Sequence, residues 1–265
     1  MSKISLSSAI REGLHEEMQR DENVICIGED IGVMNGTFAV TKGFLDEFGA
    51  KRVWDTPISE SGFTGIAVGA ALTQQMHHTG KIVVCFFGDG ATNEGVFHEA
   101  VNMASIWNLP VIFYCINNGY GISADIKKMT NIEHIHERSA AYGVPGMFIE
   151  DGNNVLDVYE GFQKAVEHVR SGKGPVLIES VTYRWLGHSS SDPGKYRTRE
   201  EVEEWKKKDP IENLRKYLLA NQIASDEELE AIQAEVKEAV EASVKFAEES
   251  PFPPLESAFE DIYAD

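Results

Sequence analysis

Two apolar runs, Ile82 to Phe87 and Val111 to Ile116, bracket a stretch in which Phe97, Ala100, Val101 and Ala104 recur at helical spacing. Unbroken apolar runs of this length read as strands buried on both faces of a parallel sheet, and the stretch between them as a crossover helix. Such a strand–helix–strand unit closes in the right-handed sense. Its loops meet at the carboxyl edge of the sheet, where open α/β folds bind ligands. Gly88-Asp89-Gly90 ends the first run and Asn117-Asn118 ends the second. A carboxylate and a carboxamide are therefore expected side by side at that edge.

This pairing suits a divalent cation carrying a diphosphate. Mg²⁺ takes six oxygens, a few from protein and the rest from phosphates and water. Asp89 offers a carboxylate oxygen, Asn118 a side-chain carbonyl and Tyr120 a backbone carbonyl. Gly90-Ala91-Thr92-Asn93 is expected to open the following helix with small residues, whose free N–H groups and dipole favour a phosphate. The plainer alternative is that Gly-Asp-Gly is only a tight turn.

The remainder of the chain continues the same alternation. A helix over Ile4 to Arg20 is expected to bury Ile10, Leu14 and Met18, followed by strands at Val24–Ile27 and near Val53. After Tyr120 the pattern predicts a helix near Ile132 to Tyr142, a strand at Met147–Ile149, a helix facing inward through Val155, Val158, Tyr159, Phe162, Val166 and Val169, and a buried strand at Val176–Val181. The fold class is α/β, a doubly wound, mostly parallel sheet with a C-terminal helical extension, divided as 1–197 and 198–265. Thr198–Glu201 and Ser225–Glu228 read as capping boxes opening charge-rich helices. Leu229, Ile232, Val236 and Val240 are expected to give the last one a core stripe.

A net charge of −19 argues against nucleic acid as a partner, because its phosphates would be repelled. No apolar stretch is long enough to cross a bilayer, and the N-terminal region lacks a signal-peptide pattern; a cytoplasmic location follows as the expectation. The three cysteines, Cys26, Cys85 and Cys115, sit in apolar strands without metal-ligand spacing and read as small buried hydrophobes. His77, His78, His134 and His136 form no metal constellation: adjacent histidines point two ways, and 134 and 136, two apart on an expected helix, face apart. All four read as surface residues. No Gly-x-Gly-x-x-Gly follows a strand, so no nicotinamide site is expected.

Gly88-Asp89-Gly90 followed by the paired asparagines resembles the thiamine diphosphate motif. The string from Cys85 to Gly95, with Tyr183-Arg184-Trp185-Leu186-Gly187-His188-Ser189 and Tyr196-Arg197-Thr198-Arg199, is similar to the alpha subunit of the decarboxylating component of 2-oxo acid dehydrogenases. That likeness runs from about Ile66 to the C-terminus. Gly28-Glu29-Asp30 and Asp55-Thr56-Pro57-Ile58-Ser59-Glu60-Ser61-Gly62-Phe63 instead resemble the start of the beta subunit. The chain thus reads as a hybrid, joined within residues 63–72.

The resemblance implies thiamine diphosphate and Mg²⁺ as cofactors, with Asp89, Asn118 and Tyr120 on the metal and Gly88, Asp89, Gly90, Ala91, Asn93, Asn118, Tyr120, Gly121, Ile122 and His188 around the cofactor. It implies Glu60 as the acid that hydrogen-bonds the cofactor's pyrimidine ring, and His188 as a group near the reaction centre. The implied reaction is decarboxylation of a pyruvate-type 2-oxo acid, or acetoin cleavage, with acyl transfer to a lipoyl acyltransferase. Glu60 and Asp89 lie in one domain, so joint use of both implies a homodimer or a hetero-oligomer with a beta-type subunit. The competing reading is an inactive module that folds and at most binds Mg²⁺-diphosphate.

Overall fold

The computed structural model describes residues 11, 14–16, 18–22, 24–29, 31–32, 41–56, 62–189, 191–252 and 254–255. The described residues up to Tyr217 form one compact unit, and those from Leu218 onward form a second.

The first unit is built on a four-stranded parallel sheet. Two strands precede it, β1 (Cys26–Glu29) and β2 (Val53–Thr56), paired in parallel. The sheet itself holds β3 (Val83–Gly88), β4 (Val111–Asn117), β7 (Gly146–Ile149) and β8 (Val176–Val181), in the order β3-β4-β8-β7. Between β4 and β7 lies a two-residue antiparallel pair, β5 (Tyr120–Gly121) and β6 (Ala124–Asp125). The helices of this unit are α1 (Phe44–Phe48), α2 (Gly62–Met76), α3 (Gly95–Ile106), α4 (Ile126–Met129), α5 (Val155–Arg170) and α6 (Arg199–Lys206).

The period of two along each strand sorts side chains onto two faces. Val83, Cys85, Phe87, Val111, Phe113, Cys115 and Leu177 face α2 and α3, where Ala67, Val68, Ala71, Phe97, Ala100, Val101 and Ala104 meet them. Ile82, Ile112, Tyr114, Ile149, Val176 and Ile178 face the opposite way and pack with Ala165 and Val169 of α5. Helices therefore cover both faces, as a doubly wound sheet requires. Each fully buried side chain such as Phe97 or Phe113 contributes about 1.5–3 kcal/mol of hydrophobic burial.

β4 is buried on both sides over Val111–Cys115, as its apolar run predicts. β3 is not: its burial alternates, and Phe86 is 41% exposed. It is the terminal strand of the hydrogen-bonded set, and α5 packs on β4, β7 and β8 instead. Two further differences concern helix type. Residues Ile135–Tyr142 form a 3-10 helix rather than an α-helix. Gly90–Asn93 is a separate 3-10 turn, with Glu94 extended at φ −74°, ψ 139°, so the α-helix begins only at Gly95.

The second unit contains the end of α7 (Pro210–Ala220) and α8 (Asp226–Glu249). Ser225 and Glu228 make the full reciprocal capping box, the Ser225 N–H donating to Glu228 Oε2 at 2.8 Å. No side chain of α8 is buried, so its apolar stripe is not core, and Val240 is 57% exposed. None of the described helices is long and apolar enough to cross a membrane.

Candidate functional site

The β3–α3–β4 crossover places residues 89–90 and 117–121 together because β3 and β4 run in register to their ends, Val83 opposite Val111 and Gly88 opposite Ile116. The two loops touch at backbone level. A Cβ on Gly90 would lie 3.2 Å from the Gly121 Cα, and one on Gly121 would lie 3.2 Å from the Gly90 Cα. Glycine at both positions is what allows this approach.

Asp89 sits at that junction, 1% exposed. Its carboxylate feels the backbone N–H of Asn118, which places the expected acid and amide residues near one another. One carboxylate oxygen, Oδ2, is buried without any hydrogen-bond partner. Burial lifts the Asp89 carboxyl above its ordinary range. Backbone N–H bonds from Asp89 itself and Asn118 and the charge of Arg184 oppose the rise, while the charge of Glu179 adds to it. A buried carboxylate with a free oxygen is costly unless a cation or donor completes it. That oxygen is the test of fit for a metal, and it is met.

The other two expected ligands are partly engaged. Asn118 Oδ1 accepts from the Tyr120 N–H at 3.3 Å. The Tyr120 carbonyl accepts from Arg184 Nη1 at 3.2 Å, and the Ile122 carbonyl from Arg184 Nη2 at 2.5 Å. Each of these oxygens has a second lone pair, so a cation can still be held. Among the described residues no three His, Cys, Asp or Glu side chains gather as a metal cluster. A cation placed here would meet one carboxylate with neutral oxygens, leaving places for phosphate and water, which is how Mg²⁺ is usually bound.

The loop is pinned from outside. Tyr120 and Tyr183 both donate their hydroxyls to Glu201 Oε1, at 2.7 and 2.9 Å. Thr198 caps α6 as expected, through the Glu201 N–H at 3.1 Å. The Glu201 side chain is spent on the two tyrosines. Burial foremost, and then the bond to Glu201, push the Tyr120 hydroxyl well above its ordinary pKa.

His188 is exposed on the loop after β8. A chain of bonds connects it to the cation loop. Its N–H donates to Asp192 Oδ2 at 2.7 Å, the Tyr196 hydroxyl donates to the same oxygen at 2.7 Å, and Arg184 Nη2 donates to Tyr196 at 2.9 Å. The N–H groups of Gly194 and His188 and the Tyr196 hydroxyl hold Asp192 down at about 2. Arg197 donates to the carbonyls of Arg184, Trp185 and Leu186 and fixes the base of this loop. Gly187 is confined against Asp192, whose carbonyl oxygen would lie 2.4 Å from an added Cβ.

Of the remaining expected residues, Gly88 ends β3, and Ala91 and Asn93 lie in the 3-10 turn. Asn93 Oδ1 accepts from Arg138 Nη2 at 2.8 Å. Ile122 is 63% exposed with φ +56°. Glu60 lies outside the described residues. His136 corrects its expected surface position. It is part-buried against the fully buried Glu179, Nδ1 to Oε2 at 3.1 Å. Its ring also stacks with His134 at 5.6 Å, because His134 is an extended cap residue rather than a helical one. Sequence reasoning overlooked Glu179, Arg184 and Asn117 as site-bearing residues. The available signal was one Glu inside the otherwise apolar Val176–Val181 run.

The sequence pattern of the Dehydrogenase E1 component family matches residues 51–256. The alpha subunit of acetoin:2,6-dichlorophenolindophenol oxidoreductase from Bacillus subtilis is 43% identical over 76% of this chain and 60% of its own length. The pyruvate dehydrogenase E1 component subunit alpha of Porphyra purpurea is 46% identical over 70% of this chain and 54% of its own. That of Rickettsia bellii is 35% identical over 98% of this chain and 79% of its own, so this match reaches into the stretch whose motifs resemble the beta subunit. The chain spans little more than half the length of the first two relatives. With the loop pair and the family pattern in agreement, the chain belongs to the dehydrogenase E1 component family, as an alpha-type member of the thiamine diphosphate-dependent 2-oxo acid dehydrogenases.

Proposed function

We propose that this chain binds Mg²⁺-thiamine diphosphate and serves as the alpha-type part of a decarboxylating 2-oxo acid dehydrogenase of pyruvate or acetoin type, delivering an acyl group to a lipoyl acceptor. The observation that carries this reading is Asp89 Oδ2, buried without a partner where the two crossover loops meet. In this reading Asp89, the Asn118 side-chain carbonyl and the Tyr120 carbonyl hold the cation. Gly90, Ala91, Asn93, Gly121 and Ile122 surround the diphosphate, and Gly88 allows the strand to end close to it. Thiamine diphosphate, when bound, supplies the carbon nucleophile that attacks a 2-oxo group and lets CO₂ leave. His188, tethered through Asp192, is assigned to donate to the diphosphate or to move a proton. Glu60 is assigned to the pyrimidine ring of a cofactor held across an interface, in a homodimer or beside a beta-type subunit.

The competing reading is a module that binds the cofactor without turnover. Calorimetry with thiamine diphosphate and Mg²⁺ tests the first claim. Binding is expected in the parent and lost in Asp89→Ala; equal binding by both sinks it. Release of CO₂ from pyruvate by the loaded chain, alone or with a beta-type partner, separates the enzyme from the inert module.

A further inference from the structure

We propose that Glu179 is a positioning residue for the cation loop, acting through Asn117. The proposal rests on the Mg²⁺-thiamine diphosphate reading above and adds what holds the loop in shape.

Glu179 lies in the middle of β8, 0% exposed, in register with Cys115 of β4 and Phe148 of β7. A sheet has no need of a carboxylate there. Buried charges are costly, and apolar replacements of buried ionic groups are often neutral or stabilising. The bonds it makes lead toward the loop. Oε1 accepts from Asn117 Nδ2 at 2.7 Å. Oε2 accepts from the His136 N–H at 3.0 Å and lies 3.1 Å from His136 Nδ1.

Asn117 turns its other end outward, and its Oδ1 accepts from the Gly119 N–H at 3.1 Å. The acceptor-only carboxylate decides which way this amide points. With Nδ2 against Glu179, the oxygen must face Gly119; flipped, it would set oxygen against oxygen and N–H against N–H. Gly119 has φ +87° and no side chain to hold the turn. Gly119 is flanked by Asn118, whose N–H acts on the Asp89 carboxylate, and by Tyr120, whose carbonyl accepts from Arg184. The chain of contacts thus runs from buried carboxylate to carboxamide to loop amide to the oxygens assigned to the cation. Glu179 is also close enough for its charge to oppose ionisation of Asp89, so a divalent cation entering beside Asp89 meets the field of a second carboxylate.

The test uses the 265-residue chain and two variants. Glu179→Gln keeps the shape but has one acceptor oxygen for two sets of donors. Asn117→Ala, at the half-buried end of β4, cuts the same path and decides the matter if Glu179→Gln does not fold. Mg²⁺ is titrated calorimetrically at saturating thiamine diphosphate, and amide exchange is followed in the unloaded protein. The expected result is a roughly 10–100-fold weaker Mg²⁺ dissociation constant, with faster exchange at Gly119 and unchanged exchange along β4 and β8. Loss of protection along both strands would mark a merely structural role and overturn the proposal. A folded variant holding Mg²⁺ within about twofold of the parent, well short of that range, overturns it as well while leaving the functional reading intact. A parent that binds no Mg²⁺ with thiamine diphosphate overturns both.

Discussion

Replacing Asp89 by Asn removes a charge from the loop junction while keeping its shape, and the structure fixes the sign of two opposite consequences. In the unloaded chain the Asp89 carboxylate is buried, one oxygen has no partner, and burial disfavours its ionised form. Leaving a buried polar group unsatisfied costs about 1–3 kcal/mol. Asn keeps a polar group at that place but carries no charge, and a buried unsatisfied group costs less when neutral than when charged, so unloaded Asp89→Asn is expected to be more stable by about 1–2 kcal/mol. For a chain of this size that raises Tm by about 2–8 °C. Loading reverses the order. At roughly 100-fold excess of Mg²⁺ and thiamine diphosphate over Kd the parent gains about 2.7 kcal/mol, and the variant gains little. Thermal unfolding by circular dichroism, with and without the ligands, should show the two curves exchange places. The advantage also depends on pH. Between the ordinary carboxylate value of 3.8 and its raised value in the fold, the folded chain keeps a proton that the unfolded chain has lost. Parent stability relative to the variant therefore falls as pH rises through that window and is level below it. An unloaded variant that melts at or below the parent at neutral pH refutes the reasoning.

Gly121→Ala places a Cβ 3.2 Å from the Gly90 Cα, a backbone atom that cannot swing aside; a loss of about 1–3 kcal/mol is expected from the overpacking, together with weaker Mg²⁺ binding, and a melting curve identical to the parent's would refute it. Asp192, held at about 2 against an ordinary 3.8, supports the His188 loop fully above pH 3.8 and loses that support as pH falls through 2. The Gly194 amide, bonded to Asp192 Oδ1 at 2.8 Å, reports this by NMR, and a titration midpoint near 4 instead of near 2 would count against the tether.

The meeting of Asp89 with Asn118 was legible because two apolar runs and one helical spacing leave a single crossover that joins them. Periodicity could not show what would cover the far face of β3, so the exposure of Phe86 was invisible. Nor does local spacing reveal long-range partners. Tyr120 and Glu201 are 81 positions apart, and a capping-box reading of Glu201 assigned its side chain to its own helix. His136 was misplaced by assuming an α-helix where an extended cap and a 3-10 turn bring the two rings together. Glu179 was hidden by its neighbours: a strand reading averages over residues, and a lone acid among apolar side chains is lost in the average.

The near-contact of Gly90 with Gly121 bears on how such sites can be rebuilt. A segment transplanted from a relative into either crossover alone would arrive with a backbone path fitted to a different counterpart. The two stretches form a single interchangeable cassette, and redesign of substrate or metal preference should exchange them as a pair.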